Sequence, residues 1–137
     1  MLCTEQHHKT QTTTNLVVGE FAPVYWEPLG QRGERLVIGV LVCNQYGICK
    51  AYQTLQHSHL AKYLEEKKTE YFDGMMNFTF NHLNKTLAAG GAIQSLKAPF
   101  ASMSIGETEA ISARTEKELP DRATQLCTLF GRIKPAD

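Results

Sequence analysis

Two histidines with one residue between them are the arrangement in this sequence that best suits chemistry. Ser58 alone separates His57 from His59. In an extended backbone both imidazoles would point to one side and could bind a metal ion or act as acid and base, whereas on a helix they would diverge by roughly 200°. A metal ion needs a third ligand, which His82 or a carboxylate would have to supply from a distance. We therefore favour the simpler interpretation, in which Ser58 caps a helix at a strand-to-helix junction and there is no metal site.

A catalytic alternative exists for the same histidines. His57 or His59 could act as the acid or base of a small ribonuclease-type effector, with Lys50, Tyr52 or Arg35 as a second catalytic group. A metal-dependent nuclease is disfavoured because the carboxylate–lysine runs of the sequence fall at predicted helix ends. The sequence also contains no nucleophile elbow, phosphate-binding loop or dinucleotide fingerprint. We expect no cofactor, and on balance no catalysis.

Residues typical of protein interfaces surround the first predicted hairpin. They are Tyr25, Trp26, Arg32 and Arg35. Tryptophan and arginine often dominate binding energy at interfaces, and an edge strand can accept a strand from another chain. These four residues are the predicted interaction site, although Trp26 could instead pack in the core while the arginines face solvent.

The composition limits the partners that the chain can attract. Lys and Arg total 14, as do Asp and Glu, so the formal net charge is zero. A neutral chain has no long-range field that would draw it onto nucleic acid or an anionic membrane. The longest apolar run is too short to span a bilayer, and the first ten residues lack the order of a signal peptide. We therefore expect a cytoplasmic protein, with a mobile tail at 1–15 and a single domain at 16–137.

The apolar run Leu36–Cys43 is the predicted centre of that domain. It is rich in β-branched residues and uninterrupted, which indicates a strand covered on both faces. Gly39 in its middle leaves room for a neighbouring backbone or a large ring. The segment 16–26 before it also has strand composition, but Pro23 cannot donate to a ladder, so we expect an edge strand or a bulge there. With a third strand at 48–54, these segments predict an antiparallel meander.

Helical periodicity begins after Ser58. Tyr71, Met75, Phe78 and His82 recur at spacings of three and four, which predicts one or two helices ending at Gly90. Aromatic and methionine residues on several sides of this region indicate a second copy of the chain or a bound partner.

The rest of the chain predicts one more strand and one more helix. A short strand is expected at 101–105, a loop at 106–114, and a helix that begins near a capping box at Thr115–Glu118. The predicted fold is therefore α+β, an antiparallel three- to four-stranded meander with two or three helices packed on one face.

The cysteines predict a reduced protein. Cys43 and Cys49 flank the turn at 44–47 and are the only close pair. With a four-residue loop Cys43 lies opposite Ile48, so the two thiols point to opposite faces of the sheet and cannot meet. A register change of one residue would reverse that conclusion. Cys127 is expected on the core side of the last helix.

Short motifs along 16–133 resemble a family of small bacterial proteins of unknown function. The matching residues are Tyr25, Gly33-Glu34, Val37-Ile38-Gly39-Val40, Ala98-Pro99-Phe100 and Leu129-Phe130-Gly131-Arg132. The family's strand has the form G-E-x-x-N-V-G-V, and this chain departs from it with Val37 where the family has asparagine. Members are often encoded beside kinases of the HipA type.

The resemblance implies a bacterial protein that acts through a partner. The partner would be a kinase-like toxin, in a toxin–antitoxin or phage-defence setting, and the protein could also form a homodimer. We therefore expect a non-catalytic protein-interaction module, with the ribonuclease-type effector as the alternative.

Overall fold

Five β-strands and two α-helices make up the computed structural model, which describes residues 16–27, 35–56 and 66–133. The strands are β1 (Val17–Trp26), β2 (Leu36–Asn44), β3 (Cys49–Gln53), β4 (Met103–Ile105) and β5 (Glu109–Ala113). The helices are α1 (Glu66–Ala88) and α2 (Glu118–Ile133), and a 3₁₀ turn (Ile93–Ser95) follows α1. The strands form one antiparallel sheet, which confirms the predicted α+β class. The expected tail at 1–15 lies outside the described residues.

The sheet contains the predicted meander of β1, β2 and β3, and β1 also pairs with β4 and β5 on its other side. The strand order is β3-β2-β1-β4, and β5 pairs with β1 beside β4. Of the two predicted alternatives for β1, the edge strand is therefore wrong, whereas the bulge near Pro23 is confirmed by a register shift with β2 between Val24 and Tyr25. Pro23 is tolerated in a central strand because it lies between the stretch of β1 that pairs with β5 and the stretch that pairs with β4. Its carbonyl still accepts a hydrogen bond from the Gly106 N–H at 2.8 Å.

The two helices lie on opposite faces of the sheet. Side chains alternate between the faces along each strand, so Ala22 and Leu41 pack with α1, while Phe21 and Val40 pack with α2. From α1 the first face receives Phe72, Met75, Met76, Phe80, Leu83 and Leu87. From α2 the second face receives Leu119, Ala123, Cys127 and, partly buried, Leu126. The expectation that all helices pack on one face is therefore wrong.

Burial of β2 on both faces is confirmed. Every residue from Ile38 to Cys43 is buried. The register with β1 passes from Val24↔Gly39 to Tyr25↔Val37, so Ile38 is an extra residue in a β-bulge. The Ile38 carbonyl accepts two hydrogen bonds, from the N–H groups of Thr54 and Leu55 at 2.9 and 3.2 Å. The bulged residue thus holds the segment that follows β3 through these two hydrogen bonds.

The glycine in β2 leaves room for an aromatic ring, as expected. The ring of Phe80 from α1 lies directly over Gly39, and a Cβ at position 39 would overlap its Cζ and Cε1 atoms. The carbonyl oxygen of Tyr52 also lies close to that position. Neither an aromatic ring in a packed core nor a ladder carbonyl can move aside easily, so this contact fixes how closely α1 approaches the sheet.

The β2–β3 hairpin differs from the prediction by one residue. Gly47 adopts a positive φ of 84°, which closes the loop over Gln45, Tyr46 and Gly47 alone. The side-chain oxygen of Asn44 accepts hydrogen bonds from the N–H groups of Tyr46 and Ile48 at 2.9 and 3.0 Å.

As a result Cys43 pairs with Cys49, and the two form a disulfide with Cα atoms 4.0 Å apart. The prediction that their thiols cannot meet is wrong, because it assumed a four-residue loop. The expectation of a reduced compartment therefore has no support from this pair.

The outer edge of the sheet at β3 is closed by a side chain of α1. The amide of Asn84 accepts a hydrogen bond from the Ala51 N–H at 2.7 Å and donates one to the Ala51 carbonyl at 3.1 Å. These are the two groups that Ala51 would offer to an added strand. Blocking them is one way in which proteins prevent unwanted pairing at an edge strand.

Replacing Gly39 by alanine should lower the free energy of unfolding by about 1 to 3 kcal/mol, because the added methyl group cannot fit between Phe80 and the Tyr52 carbonyl. Gly74 is the matched control, since it lies within α1 and nothing lies within 4 Å of a Cβ built on it. Gly74→Ala should raise the free energy of unfolding by up to about 1 kcal/mol. Urea titrations of both variants measure the difference. Equal effects would show that α1 does not approach β2 at Gly39.

Replacing Asn84 by alanine should leave the Ala51 N–H and carbonyl without their partners. We expect a loss of about 1 to 2 kcal/mol in the free energy of unfolding, because these groups are partly buried. The newly opened β3 edge should also increase aggregation at high protein concentration. Asn81→Ala, at an exposed position of the same helix, should change neither quantity. Identical behaviour of the two variants in urea titration and light scattering would contradict this role for Asn84.

Candidate interaction surfaces

The four predicted interaction residues do not form one surface. Tyr25 and Arg35 lie together, with the guanidinium carbon of Arg35 4.1 Å from the centre of the Tyr25 ring. Trp26, the next residue along β1, packs against Phe72 of α1 with the ring centres 5.5 Å apart. It thereby joins the core on the α1 face of the sheet. Arg32 lies outside the described residues.

The Tyr25 ring lies in a partly buried polar environment. Burial raises the pKa of the Tyr25 hydroxyl, and the neighbouring Arg35 charge opposes that shift in part. Glu109 of β5 and the thiol of Cys127 also act on this hydroxyl, and both raise its pKa. The tyrosine therefore stays neutral near pH 7, and its contact with Arg35 is a cation–π contact with a neutral ring. Such a pair can bind or pack, but it supplies no proton acceptor.

Cys127 lies in the core between α2 and the sheet, on the side expected from the sequence. Burial and, to a smaller extent, the neighbouring carboxylate of Glu109 together raise the pKa of its thiol to about 12. A nucleophilic cysteine needs the opposite environment, in which positive charge and partial exposure favour the thiolate. Cys127 is thus a packing residue.

The described residues do not test the hypotheses that involve the two neighbouring histidines. His57 and His59 lie outside them, so the capped junction, the metal site and the ribonuclease-type effector remain predictions. His82 is described, and its ring stacks on Phe78 of the same helix, with an interplanar angle of 11°. Among the residues that the structure describes, no three histidine, cysteine, aspartate or glutamate side chains are placed to hold a metal ion.

Exposed aromatic side chains line one flank of α1. Tyr71 and Phe78 are 70% and 56% exposed, and their spacing of seven residues puts them on the same side of the helix. The Phe78 ring lies near two other rings, those of His82, with ring centres 6.2 Å apart, and Phe100, at 5.7 Å. We call Tyr71, Phe78, His82 and Phe100 the aromatic strip. It joins a helix to the connector before β4.

The helical periodicity of α1 contains two apolar lines, one exposed and one buried. The spacing of Tyr71, Phe78 and His82 predicted a helix without saying which of its sides is buried, and these three side chains are exposed. The core line runs about one position away, and its members are Phe72, Met76, Phe80, Leu83 and Leu87. Two apolar lines on one helix are a sign of two contacts, one with the sheet and one with something else. The apolar residues on several sides of this region are the sequence feature that indicated such a second contact, although they did not identify the residues of the strip.

Other large apolar side chains are exposed at separate places. Tyr46 and Ile48 lie at the tip of the β2–β3 hairpin and are 70% and 69% exposed. Leu16 and Val18 lie at the start of β1. Among the described residues, neither pair makes a ring contact with another aromatic side chain, unlike Phe78.

The described helices carry no segment long and apolar enough to cross a membrane. Comparison of the whole chain with protein-family models, curated proteins and solved structures gives no match.

Proposed function

We propose that this chain is a non-catalytic module that binds a partner protein through the aromatic strip on α1. The observation that carries the proposal is the exposure of Tyr71 and Phe78 on one helix flank, supported from the side by Phe100 and His82. Aromatic side chains held in place by neighbours lose little conformational entropy on binding, and such residues dominate many interfaces. Covering them removes apolar surface from water.

The chemistry of the strip favours a protein partner over a charged ligand. Its members are apolar or amphipathic, and the ring of His82 lies flat against Phe78. Glu70 and Lys85 are exposed on the same helix, and they supply charges of both signs around an apolar centre, as at typical protein interfaces. An amphipathic helix or an apolar loop of the partner would suit this surface.

The setting of this function rests on the family resemblance. It implies a kinase-like partner encoded nearby, in a bacterial toxin–antitoxin or phage-defence system. The proposed binding surface does not depend on that setting, because any partner with a complementary apolar patch could use it. A second copy of the chain is a partner of this kind as well.

Replacing both Tyr71 and Phe78 by serine should weaken binding of the partner while leaving the fold intact. Losing two aromatic contacts of this size should cost about 2 kcal/mol of binding free energy or more, which is about thirtyfold in affinity. The measurement is quantitative affinity capture with the full-length chain from an extract of its native host. Light scattering on the purified chain tests the second-copy case.

The matched control replaces Tyr46 and Ile48 by serine, which removes similar apolar area from the hairpin tip. We expect the wild type and this control to retain the same stoichiometric protein, and the strip variant to lose it. Circular dichroism and thermal melting verify that both variants fold. Equal capture by all three chains, or capture of nothing in stoichiometric amount by a wild type that is also monomeric, would refute the proposal.

A further inference from the structure

β5 lies at the edge of the sheet opposite β3, and in the described chain it pairs with β1 alone. The alternation of hydrogen bonds along the strands shows which of its main-chain groups point away from β1. The Asn44 N–H donates to the Ile48 carbonyl at 3.0 Å, so residues 44, 42 and 40 of β2 bond to β3. Alternation then directs 43, 41 and 39 towards residues 20, 22 and 24 of β1. The odd-numbered residues of β1 must bond on its other side. The bond from Gly106 N–H to the Pro23 carbonyl confirms that direction.

Two residues of β5 therefore present their main-chain groups to solvent. Glu109, Ile111 and Ala113 pair with the odd-numbered residues of β1, which leaves the N–H and carbonyl groups of Ala110 and Ser112 pointing outward. β5 pairs with no strand except β1, and no loop or side chain in the described part of the chain bonds to these two positions. The contrast with β3 is clear, because Asn84 occupies the corresponding groups there.

A cleft lies beside the N-terminal end of this open strand. Its volume is about 480 Å³, and its lining comes from the 3₁₀ turn on one side and the β4–β5 junction on the other. Ile93 and Leu96 are almost fully buried and form an apolar floor together with Ile105. Polar side chains of Gln94, Glu107 and Thr108 complete the lining.

The charge of the cleft is negative. Glu107 is exposed at its rim, and none of the described residues that line it is a lysine or an arginine. Gln94 donates a hydrogen bond to a second carboxylate, that of Glu20, at 3.4 Å. Glu20 pairs across the sheet with Ala110, so this carboxylate stands next to the open strand. A long side chain with an apolar stem and a cationic head matches an apolar floor with carboxylates at its rim.

We propose that the open edge of β5 binds an extended basic segment of a partner protein, which adds to the sheet as an antiparallel strand and places a lysine or arginine in the cleft. Main-chain groups of Ala110 and Ser112 hold the segment, and the cleft selects its side chain. Because the cleft adjoins the N-terminal end of β5, an antiparallel segment reaches it with its C-terminal part. The basic residue therefore follows the paired stretch.

This surface is separate from the aromatic strip. No residue of the strip lines the cleft, and β5 contributes nothing to the strip. The inference does not rest on the proposed function, and either one can fail while the other stands.

The test begins with the purified full-length chain and a displayed library of random peptides of about ten residues. Selected peptides should carry a stretch of β-forming residues followed by lysine or arginine. Fluorescence anisotropy with the best selected peptide then measures the affinity of the wild type and of four variants. Selection of no peptide, or of peptides without that basic residue, overturns the proposal.

The variants separate main-chain pairing from charge. Ser112→Pro removes an outward N–H without breaking the ladder to β1, and should weaken binding by about tenfold or more. Ala110→Pro repeats this test at the other outward-facing position. It also provides the result if Ser112→Pro unfolds at too low a temperature to be measured. Glu107→Lys should weaken binding by a similar factor, whereas Glu70→Lys, the same charge change on α1, should leave it within about twofold.

Results with the variants would also overturn the proposal in two ways. The first is unchanged affinity in folded Ser112→Pro and Ala110→Pro, or equal effects of the two lysine substitutions. The second is a wild-type dimer in light scattering that Ser112→Pro converts to a monomer, which would assign the open edge to a second copy of the chain. Thermal melting shows that each variant is folded before its affinity is interpreted.

Discussion

The burial of β2 on both faces is the constraint on which the rest of the fold depends. A strand whose neighbouring side chains are apolar on both sides needs cover from two directions. Here α1 covers one face and α2 covers the other, and Leu41 and Val40 contact different helices although they are adjacent in sequence. A central position follows from the same demand, because an edge strand could not be enclosed so fully.

That constraint also determines which surfaces remain for binding. α1 lies against the sheet closely enough for Phe80 to pass over Gly39, and its Asn84 side chain then reaches the β3 edge and closes it. The flank of α1 that turns away from the sheet carries Tyr71 and Phe78. The other edge, at β5, has no such cover in the described chain. The two proposed binding surfaces are thus the parts of the fold that the two cores do not use.

Much of this fold could be predicted from local patterns, and the failures occur where a pattern allows two solutions. The composition of Leu36–Cys43 predicts a doubly covered strand, and its Gly39 predicts a close approach. The face on which α2 packs could not be predicted, because its apolar line fits either side of a sheet. The hairpin register depended on whether Gly47 adopts a positive φ, a choice that shifts Cys49 by one position. β5 has only Ile111 as a large apolar residue, which is too little to distinguish a strand from a loop.

The candidate sites were predicted less well for a related reason. Tyr25 and Arg35 do meet, because Arg35 directly precedes β2, which pairs with β1. Trp26 was grouped with them by sequence proximity, but neighbours along a strand point to opposite faces. The aromatic strip was visible as periodicity but was not named as the interaction site, since spacing alone does not say which of two apolar lines a sheet covers. Only the packing of Phe72 and Phe80 decides that question.

Amide hydrogen exchange across β2 tests the central claim most directly. The N–H groups of Val40, Leu41 and Val42 should exchange more slowly than those of the hairpin tip, and only when the whole domain unfolds, since both cores must open to expose them. Their free energy of opening should therefore equal the free energy of unfolding measured in urea. Exchange of these three amides as rapid as that of Tyr46 and Gly47 would show that β2 is not enclosed between α1 and α2, and would contradict the account.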